Sequence, residues 1–221
     1  MKKKFIFSGI FAILFALLLA AVKLIDVAPI GPANTSIGLS HVNGAVHTYL
    51  GESELWYDLT EILGFVALAL IPTFAIVGLI QLIKRKSILA VDPEILSLGC
   101  IYTLTAATYV LFELVVINYR PIATAEPEAS FPSSHTMLAC VVLVSAVILA
   151  GKYIKPLGLR IPLQVLGSLM AGVTAVGRLL SGVHWLTDIV GGVLISAALV
   201  LLFAALSDLF AHLLAKKKSS L

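Results

Sequence analysis

The chain has 221 residues, 60% of them hydrophobic and only 12% charged, with a mean hydropathy of +1.06. These values exclude a soluble domain with a polar surface and define an integral membrane protein. The net charge of +3 carries no nucleic-acid signal, because most basic residues sit at the ends of apolar runs.

Six apolar runs reach the length of about 20 residues that a helix needs to cross a bilayer: 5–22, 59–83, 96–117, 135–154, 162–180 and 186–213. Segments of alternating polarity, the mark of a β-barrel, are absent. The fold class is therefore all-α, an integral membrane bundle of six transmembrane helices forming one domain over 1–221. The first run follows Met-Lys-Lys-Lys and has the outline of a secretory signal. Its apolar core is long for a signal and five spans follow, so it is read as a span.

Twelve of the fifteen Lys and Arg residues fall in four clusters: Lys2–Lys4, Lys84–Lys86, Lys152 with Lys155 and Arg160, and Lys216–Lys218. With six spans, all four clusters lie on one face, which the positive-inside rule makes cytoplasmic. Both termini are then cytoplasmic in a multi-pass cell-membrane protein. Lys23, Arg120 and Arg178 lie at or near the opposite, outer face. Cys100 and Cys140 fall within spans and read as small buried apolar residues.

On the outer side, Leu39, Val42, Val46 and Tyr49 within 24–58 have helical spacing, which predicts a short interfacial helix. It is read as a lid or packing element in preference to a guide for entering lipid. Trp56 and Tyr57 suit the headgroup level. The pairs Gly167/Ala171 and Gly192/Ser196 have the four-residue spacing that lets membrane helices approach closely.

Three patches converge on the outer ends of the later spans: Asn118–Pro121, Phe131–Thr136 and Gly177–Asp188. In the second, Pro132 suits a helix start and Ser133 or Ser134 can cap it. A helix start also offers free amides and a positive dipole end to a phosphate, with His135 in its first turn. In the third, Asp188 is expected on the helix face of His184, four residues before it, where it fixes the tautomer and leaves Nε2 as a nucleophile. Arg178 adds a guanidinium, and charged groups this close to membrane spans usually serve function.

These residues resemble the membrane-bound type 2 phosphatidic acid phosphatase superfamily, the lipid phosphate phosphatases. Its motifs are Lys-x6-Arg-Pro, Pro-Ser-Gly-His and Ser-Arg-x5-His-x3-Asp; here they read ELVVINYRP, PSSH and GRLLSGVHWLTD, in order over Glu113–Asp188. The resemblance implies His184 as nucleophile, Asp188 as its orienting partner and His135 as acid and base. Arg120, Ser133, Ser134 and Arg178 would hold the phosphoryl oxygens. No metal and no cofactor are expected.

Ser134 stands where the family has Gly, and Gly177 where it has Ser. Glu113 replaces the family lysine, which reverses the charge of a phosphate ligand. Placed on one helix with Arg120, Glu113 would lie about 10 Å deeper, paired with that arginine or protonated by burial. Lys23 offers a substitute cation. Glu126 and Glu128 read as solvated loop charges.

The expected function is hydrolysis of a lipid phosphate or diphosphate at the outer face. Undecaprenyl diphosphate, phosphatidic acid and phosphatidylglycerol phosphate are the candidate substrates, with membrane lipids as surroundings and no nucleic-acid partner. The alternatives are a lipid phosphotransferase, and a non-catalytic binder or transporter of lipid phosphates. Glu113 favours the latter, and the intact His135, His184 and Asp188 set opposes it.

Overall fold

The computed structural model describes residues 1–31, 34–121 and 127–219, without the side chains of residues 218 and 219. Each apolar run is a helix: α1 (Lys2–Leu24), α3 (Glu54–Arg85), α4 (Pro93–Leu114), α5 (Ser134–Tyr153), α6 (Leu157–Leu180) and α7 (Leu186–Ser219). All six are long and apolar enough to span a membrane. The short helix expected between the first two spans is α2 (Ser40–Leu50), preceded by a hairpin that the sequence pattern did not reveal. Its strands are β1 (Ala28–Ile30) and β2 (Thr35–Ile37), antiparallel with Ala28 opposite Ile37.

α7 is the central element, packed against α1, α4 and α5, and α5 in turn contacts α6 and α3. The buried residues of α1, Ser8, Phe15 and Val22, recur every seven residues along one face. Ser8 donates its hydroxyl to Ala198 O at 2.8 Å. One core joins α4, α5 and α7 through Leu98, Ile101, Val141, Leu199 and Phe203. A second joins α3, α5 and α6 through Ala67, Ala139, Val142 and Ala171.

Small residues make the close crossings. A Cβ at Gly192 would lie 3.0 Å from Ser133 O and from Thr136 Cβ, so a side chain there would push α7 away from the start of α5. Ser196, one turn on, donates to Gly192 O at 2.6 Å, with Met137 O of α5 at 3.2 Å. Gly167 faces Val147 of α5 in the same way.

Three expectations need correction. The third span ends at Leu114 rather than 117: the β-branched run Val115–Ile117 leaves the helix for an extended segment that leads to Pro121. Cys100 lies on the exposed face of α4 rather than in the core. In α2 the apolar stripe is not the packed face. Val42 and Tyr49 are 52% and 89% exposed, whereas Asn43 is fully buried against α7. Buried hydrogen bonds, not apolar area, dock this helix.

Candidate active site

The three motifs meet at one pole of the bundle, each held by a different local device. Asn118–Pro121 runs extended beside 128–130. Tyr119 bridges Ala129, the Arg120 N–H donates to Glu128 O at 3.1 Å, and the Ser130 N–H donates to Asn118 O at 2.9 Å. The Trp185 indole N–H donates to Tyr119 O at 2.6 Å and ties this segment to the third motif.

Ser133, not Ser134, caps α5: its hydroxyl accepts the Thr136 N–H at 3.4 Å. Its own N–H donates to Asp188 O at 3.0 Å, which joins the starts of α5 and α7. Ser133 is fully buried in this capping role, while Ser134 lines a narrow cleft with His184. Phe131 anchors the motif from behind, stacked on Phe15 at 5.7 Å and lying against Gly191.

His184 lies two residues ahead of α7, so helical spacing is not what pairs it with Asp188. A reciprocal cap does this: Trp185 N–H donates to Asp188 Oδ2 at 2.9 Å, and Asp188 N–H donates to Trp185 O at 3.1 Å. The carboxylate so fixed lies 3.4 Å from His184 Nδ1. α2 completes the support. Asn43 donates to Gly38 O at 2.8 Å and to Thr187 Oγ1 at 2.9 Å, and accepts the Thr187 N–H at 3.2 Å.

The polar groups here are buried to an unusual degree: Arg178 is 1% exposed, His184 2% and Asp188 0%. Arg178 Nε, both His184 ring nitrogens and Asp188 Oδ1 have no hydrogen-bond partner among the described residues. Of these, Arg178 Nε is a spare donor that suits an acceptor oxygen of a ligand, and the His184 ring offers a lone pair beside it. Burial foremost, helped by the charges of Arg120 and Arg178 and opposed by Asp188, holds the His184 pKa below its ordinary value. The imidazole is thus neutral near pH 7, with a free lone pair.

Arg120 is brought to the same pole but is already paired, its Nε 3.2 Å from Glu128 Oε2. Glu128 is therefore this arginine's partner rather than a free loop charge; Glu126 lies outside the described residues. Glu113 sits exposed on the last turn of α4, shares no helix with Arg120, and lines the cleft beside His184. Neither expected pairing nor burial applies to it. Lys23 donates to Val116 O at 3.2 Å and so fastens α1 to the segment after α4.

The motifs did not reveal the contribution of α3. Glu61 Oε1 accepts from Arg178 Nη1 at 2.9 Å and lies 3.2 Å from His135 Nε2. The Tyr57 ring lies 5.2 Å from the Arg178 guanidinium. Glu61 was the available signal: a carboxylate one turn inside an apolar span. Alongside, a cavity of about 350 Å³ runs between α3, α4 and α5, lined by Leu68, Ile71, Tyr102, Leu138 and Val142 and ending at Ser134 and His135.

A six-span bundle with a buried His–Asp pair, two arginines and an adjoining apolar cavity has the makings of a membrane phosphatase for lipid phosphates. The chain belongs to the PAP2 superfamily, whose family model matches residues 66–210, and it is an enzyme of that lipid phosphatase class. Its fold is similar to that of the first transmembrane PAP2-type phosphatidylglycerolphosphate phosphatase from Bacillus subtilis. The TM-score is 0.63 at 19% identity, over 92% of this chain and 95% of the other. LpxE of Aquifex aeolicus aligns with a TM-score of 0.43 at 16% identity, over 76% of this chain and 90% of the other. No curated protein matches the chain.

Proposed function

We propose that the protein hydrolyses a lipid phosphate or diphosphate at the outer face of the cell membrane, through a phosphohistidine on His184. The observation that carries this reading is His184: a buried neutral imidazole with a partnerless Nε2, next to Asp188 and within the field of Arg178 and Arg120.

In the first step the Nε2 lone pair forms a bond to phosphorus in line as the bond to the lipid oxygen breaks, and His135 gives that oxygen a proton. Asp188 balances the imidazolium that develops on His184. In the second step water attacks phosphorus, the N–P bond breaks, His135 takes the water's proton and inorganic phosphate leaves. Arg178, Arg120, the Ser134 hydroxyl and the amides at the start of α5 hold the phosphoryl oxygens, where negative charge concentrates. Ser133 contributes by capping α5.

The apolar cavity that ends at Ser134 and His135 suits an acyl or prenyl chain lying between α3, α4 and α5. The lysine clusters support cytoplasmic termini and an outward-facing site. Such a site suits recycling of a polyprenyl diphosphate carrier, with phosphatidic acid and phosphatidylglycerol phosphate as the other candidates.

The test is phosphate release by the purified protein in detergent, with chelator present, from undecaprenyl diphosphate, phosphatidic acid and phosphatidylglycerol phosphate in parallel. Release by wild type, reduced at least ~10³-fold in His184→Ala, is expected, with an acid-labile phosphoprotein trapped early in turnover. Undiminished release by His184→Ala would overturn the mechanism. No release from any of the three lipids would overturn the hydrolase reading, and a trapped phosphoprotein without release would point to a phosphotransferase.

A further inference from the structure

Resting on the reading of His135 as acid and base, we propose that Glu61 is the positioning carboxylate of His135. It forms a second carboxylate–imidazole dyad, contributed by α3, that holds the leaving-group acid as Asp188 holds the nucleophile.

The atoms assign the tautomer. Arg178 Nη2 lies 3.1 Å from His135 Nδ1. A guanidinium can only donate, so Nδ1 accepts and the ring proton resides on Nε2. Nε2 lies 3.2 Å from Glu61 Oε1, the same oxygen that accepts from Arg178 Nη1. The titratable and charged groups facing His135 are thus Glu61 from α3, Arg178 from α6 and His184 from the turn before α7.

Two glycines let α3 come this close. Gly64, one turn beyond Glu61, faces the ring: a Cβ there would stand 3.1 Å from His135 Cδ2. At Gly177, where the family pattern has serine, a Cβ would stand 2.6 Å from Thr60 Cγ2 and 2.9 Å from Trp56 Cε3. The α3 wall therefore occupies the space that a serine side chain would need. Glu61 and Gly64 both precede the segment that the family model matches, residues 66–210.

This arrangement has a consequence for the first chemical step. A phosphoryl oxygen that binds Arg178 draws Nη2 away from His135 and frees Nδ1. Once free, Nδ1 takes up a proton from solvent. Glu61 stays on the Nε2 proton and stabilises the imidazolium so formed, which donates its Nδ1 proton to the leaving lipid oxygen, and the attacking water returns a proton to Nδ1 in the second step. Glu61 itself neither gains a proton nor touches the substrate. In kcat/KM, which reports the first step, its effect should appear only where the leaving group needs a proton.

The experiment compares kcat/KM for phosphatidic acid, whose leaving alkoxide must be protonated, with that for p-nitrophenyl phosphate, whose phenolate leaves unaided. Wild type, Glu61→Gln and Glu61→Asp are assayed in detergent, with folding checked by size-exclusion chromatography. In Glu61→Gln we expect a loss of roughly 10²-fold on phosphatidic acid and less than about 3-fold on p-nitrophenyl phosphate. Glu61→Asp, which keeps the charge but draws it back from the ring, should lose about 10-fold on phosphatidic acid alone; if Glu61→Gln does not fold, this selective loss decides the matter. Equal losses on both substrates, or none, would overturn the proposal and leave the phosphatase reading standing. A gain would overturn it in favour of a carboxylate that merely blocks the anion site. A wild type inert towards both substrates, and towards undecaprenyl diphosphate and phosphatidylglycerol phosphate as well, would overturn the phosphatase reading and this proposal together.

Discussion

The two poles of the bundle both carry charge, but they treat it in opposite ways. At the lysine-rich pole Lys4 pairs with Asp208 at 2.8 Å, Arg85 with Asp92 at 2.6 Å, and Lys152 with Glu94. Every basic partner there is more than 40% exposed. At the other pole Arg178, His184 and Asp188 are almost wholly buried, and several of their atoms lack partners among the described residues. Exposed pairs contribute little to stability and cost little to form, so their role is to anchor topology. Buried charges are costly unless paired, and are kept where chemistry uses them.

If that contrast is correct, the largest effect belongs to the most deeply buried carboxylate. Asp188→Asn should lower kcat by roughly 10³–10⁴-fold, since an amide neither fixes the His184 tautomer nor balances an imidazolium. Steady-state phosphate release measures it. A variant within tenfold of wild type would break the comparison, because burial would then mark structure alone. Arg178→Lys comes next, at about 10²-fold. One ammonium cannot reproduce the fork that reaches Glu61 and His135 while presenting Nε to a phosphoryl oxygen.

A pH profile sharpens the same contrast. In the proposed mechanism the active form of His184 is neutral, and its pKa is held below the ordinary histidine value of about 6.5. The neutral form therefore persists as pH falls through 6.5, and any acid limb that His184 gives to kcat/KM lies below that value. An Asp188→Asn variant removes the group that raises this pKa, so any acid limb due to His184 should move still lower. A shift to higher pH would contradict the assignment.

Much of this was readable in the sequence because membrane burial leaves strong signals. Six apolar runs gave six helices, and the three motifs fell at one pole as the lysine placement required. What the sequence hid has physical reasons. Helix α2 shows an apolar stripe, yet it docks through Asn43, whose partners Gly38 and Thr187 cannot be guessed from periodicity. The pairing of Arg120 with Glu128 needs the extended segment that replaces the last turn of α4, and a seven-residue spacing suggested a helix instead. Glu61 was hidden by distance: more than seventy residues separate it from His135, and the close packing of α3 on α5 at Gly64 and on α6 at Gly177 joins them.

Asn43→Ala tests a smaller effect at the catalytic pole. It strips partners from the Thr187 N–H and hydroxyl and from Gly38 O, so a loss of about 1–3 kcal/mol is expected, read as a lower unfolding temperature in detergent. Thr187 is next to Asp188, so turnover should also fall, by less than in Asp188→Asn.

The smallest effect is expected at the lysine-rich pole, and it is the fairest test of the whole contrast. Asp208 lies on α7, the same helix that carries Asp188, and accepts from Lys4 with its side chain 38% exposed. Removing that pair in Asp208→Asn should cost at most about 1 kcal/mol, shrink further as salt is raised, and leave kcat/KM unchanged. The two carboxylates are twenty residues apart on one continuous helix, so a rigid-body link between the poles would have to run through α7. Full activity in Asp208→Asn beside an inactive Asp188→Asn would mean that position within the bundle, and not membership of α7, decides what a carboxylate does. A matching fall in both would mean that the lysine-rich pole helps to set the geometry of the cap at Trp185, and that the two poles are mechanically one.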